Sequence, residues 1–406
     1  MLLLLANLAC VDAPCAGFEG NTLYVYAPEE AHRQGTNPRA FTSIREALGV
    51  AEPGTGICIG PGTWTESLNV LDDDIALLGA GADRTFIEPI SNDPRGGDTT
   101  GIRVGADGLF VKNLTVRDAT RGIAVSSGHD LRLEGVELRT NATGLLATEP
   151  DALSLDGVLF SRNTTIGALI RADHVVPEVT IRDGAFVGNG AMETSEVGGL
   201  YSDRDVDMLG TRFSDNAGML AADVYVEGHL KATRITVDRP AIEGGAPRIV
   251  VRDGLTWRHS QVQSTGATVM DVSCREMGVE VENLVVQSHV AGDPLLTFDN
   301  CTGRLVHATF LDHSGALPLA VSLTGEGLFE ISNSAFIGVD PLQGELAREG
   351  VNFVGTTDEA GLSSTLLPTA SSPLVDRGEE LGVIADIQGR PRPVGPAPDV
   401  GAFELY

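Results

Sequence analysis

Four residues stand out when the chain is read for chemistry. Seven positions beyond the glycines that open its repeated units (Gly101, Gly122, Gly144, Gly167 and Gly198) come Gly108, His129, Asp151, His174 and Asp205. Charged neighbours crowd the same places: Asp107, Asp130, Asp173, Arg204 and Asp207. If each unit is one turn of a coil, His129, Asp151, His174 and Asp205 stack on one corner, about 5 Å apart per turn. Imidazoles and carboxylates at that spacing suit a divalent metal, calcium included. The same set offers proton exchange at His129 or His174, with Arg171 or Arg204 stabilising an anion. The plainer alternative is a solvated corner, since Asp and His are ordinary turn residues in an acidic chain. Further along, the same column reads Glu227, Asp253, Cys274, Cys301 and Glu326, too mixed a set for one dedicated site.

Other chemistry is sparse. Trp64, Trp257 and Tyr201 are the aromatic platforms on which a sugar could stack. Trp64 reads as core, and Trp257 alternates with apolar residues and could face either way. Asn113, Asn141, Asn163 and Asn300 fit glycosylation sequons but read better as corner or coil asparagines. The sequence holds no Gly-rich phosphate loop, nucleophile elbow or HExxH, and no clustered Cys/His spacing for structural zinc.

The elements that would position these residues follow from the repeat. The opening glycines lie 21, 22, 23 and 31 residues apart. Each is followed by an apolar alternation, then a second such as Leu131-Arg-Leu133 or Leu153-Ser-Leu155, then a third such as Val136-Glu-Leu138. An asparagine closes each unit: Asn141, Asn163, Asn189 and Asn216, three residues after Leu138, Phe160, Phe186 and Phe213. Period-two alternation in three short runs, with Gly or Asn at the corners, describes a coil of three strands. Asn tolerates the left-handed backbone of a sharp corner, and stacked Asn side chains form hydrogen-bonded ladders. No helical pattern separates the strands, so the expected fold is all-β, a right-handed parallel β-helix. The pattern continues through Val224-Tyr-Val226, Ile249-Val-Val251, Val269–Val272, Leu295–Phe298 and Val321-Ser-Leu323. Residues 57–337 then hold roughly eleven to twelve coils, a rod on the order of 55 Å. The coil of 167–198 is longer than its neighbours near Gly188–Glu196, and such insertions often border a binding groove.

Composition narrows the function. Of the 406 residues, 42% are hydrophobic, which supplies a core and excludes wholesale disorder. Acidic residues number 56 against 28 basic, a net charge of −28, and only Lys112 and Lys231 are lysines. Such a surface repels phosphate backbones, so nucleic acid is excluded as a partner. It also disfavours polyuronates and anionic membranes.

The ends carry their own signals. Residues 1–9 are apolar and too short to span a bilayer. They resemble the end of a bacterial lipoprotein signal, with Leu-Ala-Cys placing the lipid on Cys10; a plain cleaved signal is the alternative. Export is expected either way. Cys274 and Cys301 lie one repeat apart, within disulfide range when stacked. Cys15 and Cys58 form the second expected pair, with free buried thiols as the alternative. Residues 41–51 show helical spacing at Ile44, Ala47, Leu48 and Ala51, which predicts a cap helix over the first coil. Beyond about residue 340 the chain turns rich in Pro, Gly, Ser and acids. The expected divisions are therefore 1–9 signal, 10–56 N-terminal segment and cap helix, 57–340 coils and 341–406 an irregular C-terminal cap.

Two stretches carry a family resemblance. Phe41–Leu48 followed by Ile57–Glu66 resembles the opening of many right-handed parallel β-helix proteins, pectinesterases among them. The tail reads Ser372-Pro-Leu-Val-Asp376-Arg-Gly378, Asp386-Ile-Gln-Gly-Arg390-Pro-Arg392 and Asp399-Val-Gly-Ala-Phe-Glu404. It is similar to the terminal motif of bacterial surface proteins called choice-of-anchor Q domain proteins. The resemblance implies a secreted or surface-attached β-helix. The chain stops two residues after Glu404, so no C-terminal anchor is expected and Cys10 gains interest. Asp376, Asp386, Asp399 and Glu404 can accept hydrogen bonds from backbone amides or from Arg390 and Arg392, as a structural cap would require. The Asp-Phe-Ile-Phe-Gly stretch of pectinesterases is missing; the nearest string, Phe336-Ile-Gly-Val-Asp340, runs in the wrong order. Two functions remain in view. One is a non-catalytic, monomeric cell-surface rod for adhesion or glycan contact, touching membrane only through its lipid. The other is a polysaccharide lyase or hydrolase, which rests mostly on fold.

Overall fold

The computed structural model describes residues 14–27, 40–90, 97–126, 129–172, 179–238, 246–264, 268–289 and 294–406. Period-two alternation becomes strand: in Asp130–Glu134, Leu131 and Leu133 point inward and Arg132 outward. Each coil supplies three such strands, stacked in three columns with parallel pairing throughout. The first column has twelve strands, from Leu68–Val70 to Asp340–Gln343. The second runs from Thr22–Val25 to Arg348–Glu349. The third runs from Gly62–Trp64 to Asn352–Gly355. One inward row reads Leu68, Ile102, Ile123, Leu145 and continues to Val321 and Leu342. The result is an all-β parallel β-solenoid of the right-handed type, about 11 turns long. Phe160, Phe186 and Phe213 stack inside it at 4.5 and 5.0 Å between ring centres.

The closing asparagines form a buried ladder. The Nδ2 of Asn141, Asn163 and Asn189 donates to the Oδ1 of the next asparagine at 3.2, 2.9 and 2.9 Å. Each also donates to a backbone carbonyl of the coil before, so none is left unsatisfied in the core. These asparagines do not themselves take the left-handed backbone. The residue before each does: Thr140, Arg162, Gly188 and Asp215 all have φ between 53° and 65°. Close stacking explains the repeat glycines. A Cβ on Gly122 or Gly144 would meet the carbonyl of the next glycine in the column at 2.5 or 2.4 Å, with the Nδ2 of Asn141 or Asn163 at 3.0 Å. In register the glycine column runs through Gly167 to Gly199, not Gly198, and then meets Asp223 and Arg248. There the ladder ends. Asn216 donates to Asp223 at 2.9 Å, and Asp223 pairs with Arg248 at 2.5 Å, both side chains buried. Burial pushes the Asp223 carboxyl up, against the pull of Arg248.

The two halves of the N-terminal motif meet. Helix α1, Ile44–Leu48, is shorter than the expected 41–51 because Gly49 ends it. Ile44, Ala47 and Leu48 are buried against the first coils. Glu66, at the far end of the motif, accepts from Ser43 Oγ and from the amides of Ile44 and Arg45 at 2.7 to 3.0 Å. It thereby satisfies the open helix N-terminus. Both expected disulfides form: Cys15–Cys58 and Cys274–Cys301, with Cα atoms 5.4 and 5.0 Å apart.

The C-terminal segment packs along the side of the solenoid. After helix α2, Thr357–Ala360, it covers outward-facing Val285, Leu311, Ala335 and Ile337 with Leu374, Val400, Ala402 and Phe403. It follows one corner across four coils. His259 bonds the carbonyl of Asp386 at 2.9 Å, and Asn283 that of Ala385 at 2.8 Å. Asn333 donates to the carbonyl of Glu379 at 2.8 Å and accepts from its amide. His307 lies buried between them, accepting from Asn333 at 3.1 Å. Within the segment Asp386 accepts from Gln388, Arg390 and Glu404 amides, and Asp399 from those of Asp376 and Leu405. Glu404 accepts from the Val394 and Asp399 amides and pairs with buried Arg392 at 3.1 Å.

Candidate functional site

The corner residues come together only in part. His129 Nδ1 lies 2.9 Å from Asp107 Oδ1. The Asp151 amide donates to the His129 carbonyl at 3.2 Å, so these two share a row, and Asp151 is exposed. Asp205 stands one residue away. Its neighbour Val206 pairs with Val179, which pairs with Leu153. Arg204, not Asp205, therefore counts into the row of His129 and Asp151. The slip arises because corner loops differ in length from coil to coil. Asp205 instead accepts from the His229 amide at 2.7 Å. His174 lies outside the described residues, as does Cys10. Among the described residues, no three His, Cys, Asp or Glu side chains gather as a ligand set for a metal. Arg204 donates to the Ala172 carbonyl, and its Nε is buried without a partner.

The aromatic candidates separate cleanly. Trp64 and Trp257 are core residues. Tyr201 faces outward on the first column, in register with Leu169 and Tyr225. The two tyrosine rings stack at 5.3 Å and 10°. Arg171, from the preceding coil, lies over Tyr201 at 6.0 Å, and Arg252, from the following coil, over Tyr225 at 5.7 Å. The ring faces are thus occupied, and edges and hydroxyls are what the surface presents. Tyr225 donates to Glu227 at 3.0 Å. Asp203 lies near Tyr201; burial first, then this neighbouring carboxylate, pushes the tyrosine hydroxyl above its usual range. Arg252 also reaches Asp271 at 3.2 Å and Ser273 at 3.3 Å. Arg275 reaches Glu227 at 3.4 Å.

Ile166, Val197, Ala221 and Val250 form a buried apolar cluster beside these rings. The long loop reaches the same place. Ser195 and Glu196 accept from the amides of Met219 and Leu220, so the insertion stacks on the next corner and leads into the strand of Tyr201. Sequence reading found Tyr201, Arg171 and the loop, placed Glu227 on the corner column and Tyr225 in a strand without joining them to Tyr201, and missed Asp203 and Arg252. A signal existed: Tyr201-Ser-Asp203 recurs as Tyr225-Val-Glu227, 24 residues on, one coil later. The arrangement supplies hydroxyls, carboxylates and guanidiniums at one-coil spacing, a set that hydrogen-bonds a hydroxyl-rich ligand better than it stacks one.

Comparison with known proteins finds distant likenesses only. No family model matches the chain, and no curated protein matches it. Among solved structures, pectate lyase Pel9A aligns over 98% of this chain and 100% of its own, at 14% identity and a TM-score of 0.38. An alginate lyase from Paenibacillus sp. str. FPU-7 aligns over 77% of this chain and 96% of its own, at 16% identity and 0.30. A pectin methylesterase from carrot covers 84% and 91%, at 11% identity and 0.28. These likenesses carry no weight for function. The stacked columns of parallel strands and the two disulfides define the class, a parallel β-solenoid protein.

Proposed function

We propose that this protein is an exported, non-catalytic β-helical rod that contacts a neutral polysaccharide through the outward face around Tyr201 and Tyr225. The carrying observation is the row Arg171–Tyr201–Tyr225–Arg252, with the Tyr225 hydroxyl donating to Glu227 and the Asp203 carboxylate near Tyr201. Two disulfides fit an oxidising compartment. Net charge −28 favours a neutral glycan over a polyuronate. The finer reading is a monomeric cell-surface protein of the choice-of-anchor Q type, tethered by a lipid on Cys10. On it, 10–56 with α1 protects the first coil, and 341–406 is a terminal cap applied from the side. The corner of His129, Asp151 and Asp205 is then a solvated turn.

Affinity electrophoresis against neutral and acidic polysaccharides tests this. A neutral glycan should retard the protein, and Tyr225→Phe with Arg252→Ala should weaken binding about tenfold, the equivalent of one or two hydrogen bonds. Absence of retardation across the panel, or an unaffected double variant, sinks the reading. Release of new reducing ends in the presence of calcium would establish the lyase or hydrolase alternative instead.

A further inference from the structure

The tyrosine face repeats along the rod and changes across it. Leu169, Tyr201 and Tyr225 form one outward row, in register on successive coils. Arg171, Asp203, Glu227 and Arg252 form the row beside it, on four successive coils. The amides of Asp203, Glu227 and Arg252 donate to the carbonyls of Ile170, Ser202 and Val226 at 3.2, 2.9 and 3.0 Å, each carbonyl one coil earlier. Both rows therefore step once per coil, about 4.8 Å, and the Tyr201 and Tyr225 rings lie 5.3 Å apart. Across the rod the chemistry differs at every position. Met219 and Leu220, 53% and 50% exposed, stand at the corner that leads into Val224–Val226. The tyrosine comes next, and then the charged row.

Taken whole, the charged row is neutral: two guanidiniums and two carboxylates. It offers donors and acceptors at a fixed step, without a net charge for an ionic ligand. A ligand with the same step meets similar partners at every coil, and each added unit binds as part of one chain. A glycan whose β-links keep it extended has that step, about one sugar ring per coil. An α-linked glycan winds into a helix and leaves the row after a unit or two. A stiff, extended chain also loses little freedom on binding. We infer that the ligand lies along the rod axis as an extended, β-linked neutral glycan, one sugar unit per coil from Arg171 to Arg252. This placement rests on the glycan reading above and adds the linkage, direction and length of the ligand. Three coil steps span about 14 Å, whereas a three-residue strand such as Val224–Val226 spans about 10 Å across the rod. An axial ligand therefore engages four units and a transverse one about two.

Titration calorimetry of the whole chain tests it with cello- and manno-oligosaccharides of two to six units, against malto-oligosaccharides of the same lengths. Affinity for a β-linked series should rise about threefold with each added unit up to four and then level. The malto series should stay flat. Arg171→Ala, an exposed position at one end of the row, should move the plateau from four units to three. The axial placement is overturned by a β-linked series that levels at two units, by a malto series that climbs equally, or by a plateau that Arg171→Ala does not move. Any of these results can stand beside retardation by the polysaccharide, and the glycan reading then survives without the placement. If neither the polysaccharides nor the oligosaccharides bind, both fall together.

Discussion

One corner of the solenoid, between the second and third strands, is built two ways. Along the exposed coils the left-handed position falls on Gly135, Gly157 and Gly210, with Asn113, Asp183 and Arg234 among them. Along the last coils it falls on His259, Asn283, His307 and Asn333, with φ between 50° and 55°. The backbone demand is the same in both regions, and glycine meets it at least strain. The difference lies outside the corner. The second group is covered by the C-terminal segment, and its side chains hold that segment through Asp386, Ala385 and Glu379. A conformation that costs a non-glycine residue something is kept where the side chain has a partner to bond. The interior shows the same division. The coils of 141–216 carry an amide ladder that ends on the Asp223–Arg248 pair; the covered coils instead hold a neutral histidine beside Arg392.

The largest effect should come from breaking the end of the ladder. Asp223→Ala leaves Arg248 buried without its charge partner and Asn216 without one of its two acceptors, at a cost of about 3 to 5 kcal/mol. Urea denaturation should show the loss; a change under about 1 kcal/mol would mean the pair is dispensable.

The covered half should respond to acid. Burial first, then the charge of Arg392, lowers His307 from 6.5 to about 3. Between those values the unfolded chain takes up a proton that the folded one refuses. Stability is therefore complete above about pH 6.5 and falls as pH drops toward 3, by about 1.4 kcal/mol per unit. Asp399 and Glu404, both raised by burial, act in the opposite sense. A His307→Gln variant should show a shallower decline between pH 6.5 and 4.5, whatever its stability at pH 7. Parallel curves for the two proteins would remove His307 from the account.

The smallest effect sharpens the corner comparison directly. Asn283→Gly keeps the left-handed backbone and loses the bond to Ala385, so about 1 kcal/mol should be lost. Gly157→Asn, on the exposed side, gains no partner and should change stability by less than about 0.5 kcal/mol after allowing for the backbone. Equal losses at the two positions would show that the backbone alone governs the corner.

Much of this was legible in the residues. Period-two runs marked which side chains face inward, because strand geometry alternates them whatever the partner. The repeat of about one coil brought Cys274 within reach of Cys301. The acids of the tail were visible as acceptors, though the amides they bond were not, and Glu66 stood out only as the end of the N-terminal motif. Rows across coils were not legible. The glycine count passed through Gly198 where the register uses Gly199, and variable corner loops then moved Asp205 out of line with His129 and Asp151.

The sequence by itself determined the coil, its inward faces, the stacking of Cys274 beside Cys301 and the sites of the polar ladder, since each depends on spacing within one or two turns. Only the tertiary structure decided which tyrosines stack, which carboxylates meet a guanidinium, and where the tail lies. Those outcomes rest on contacts between residues far apart in the chain, such as Asn283 with Ala385 and His259 with Asp386, 102 and 127 positions away. No local pattern encodes them, because the partner surface exists only once the coils have stacked.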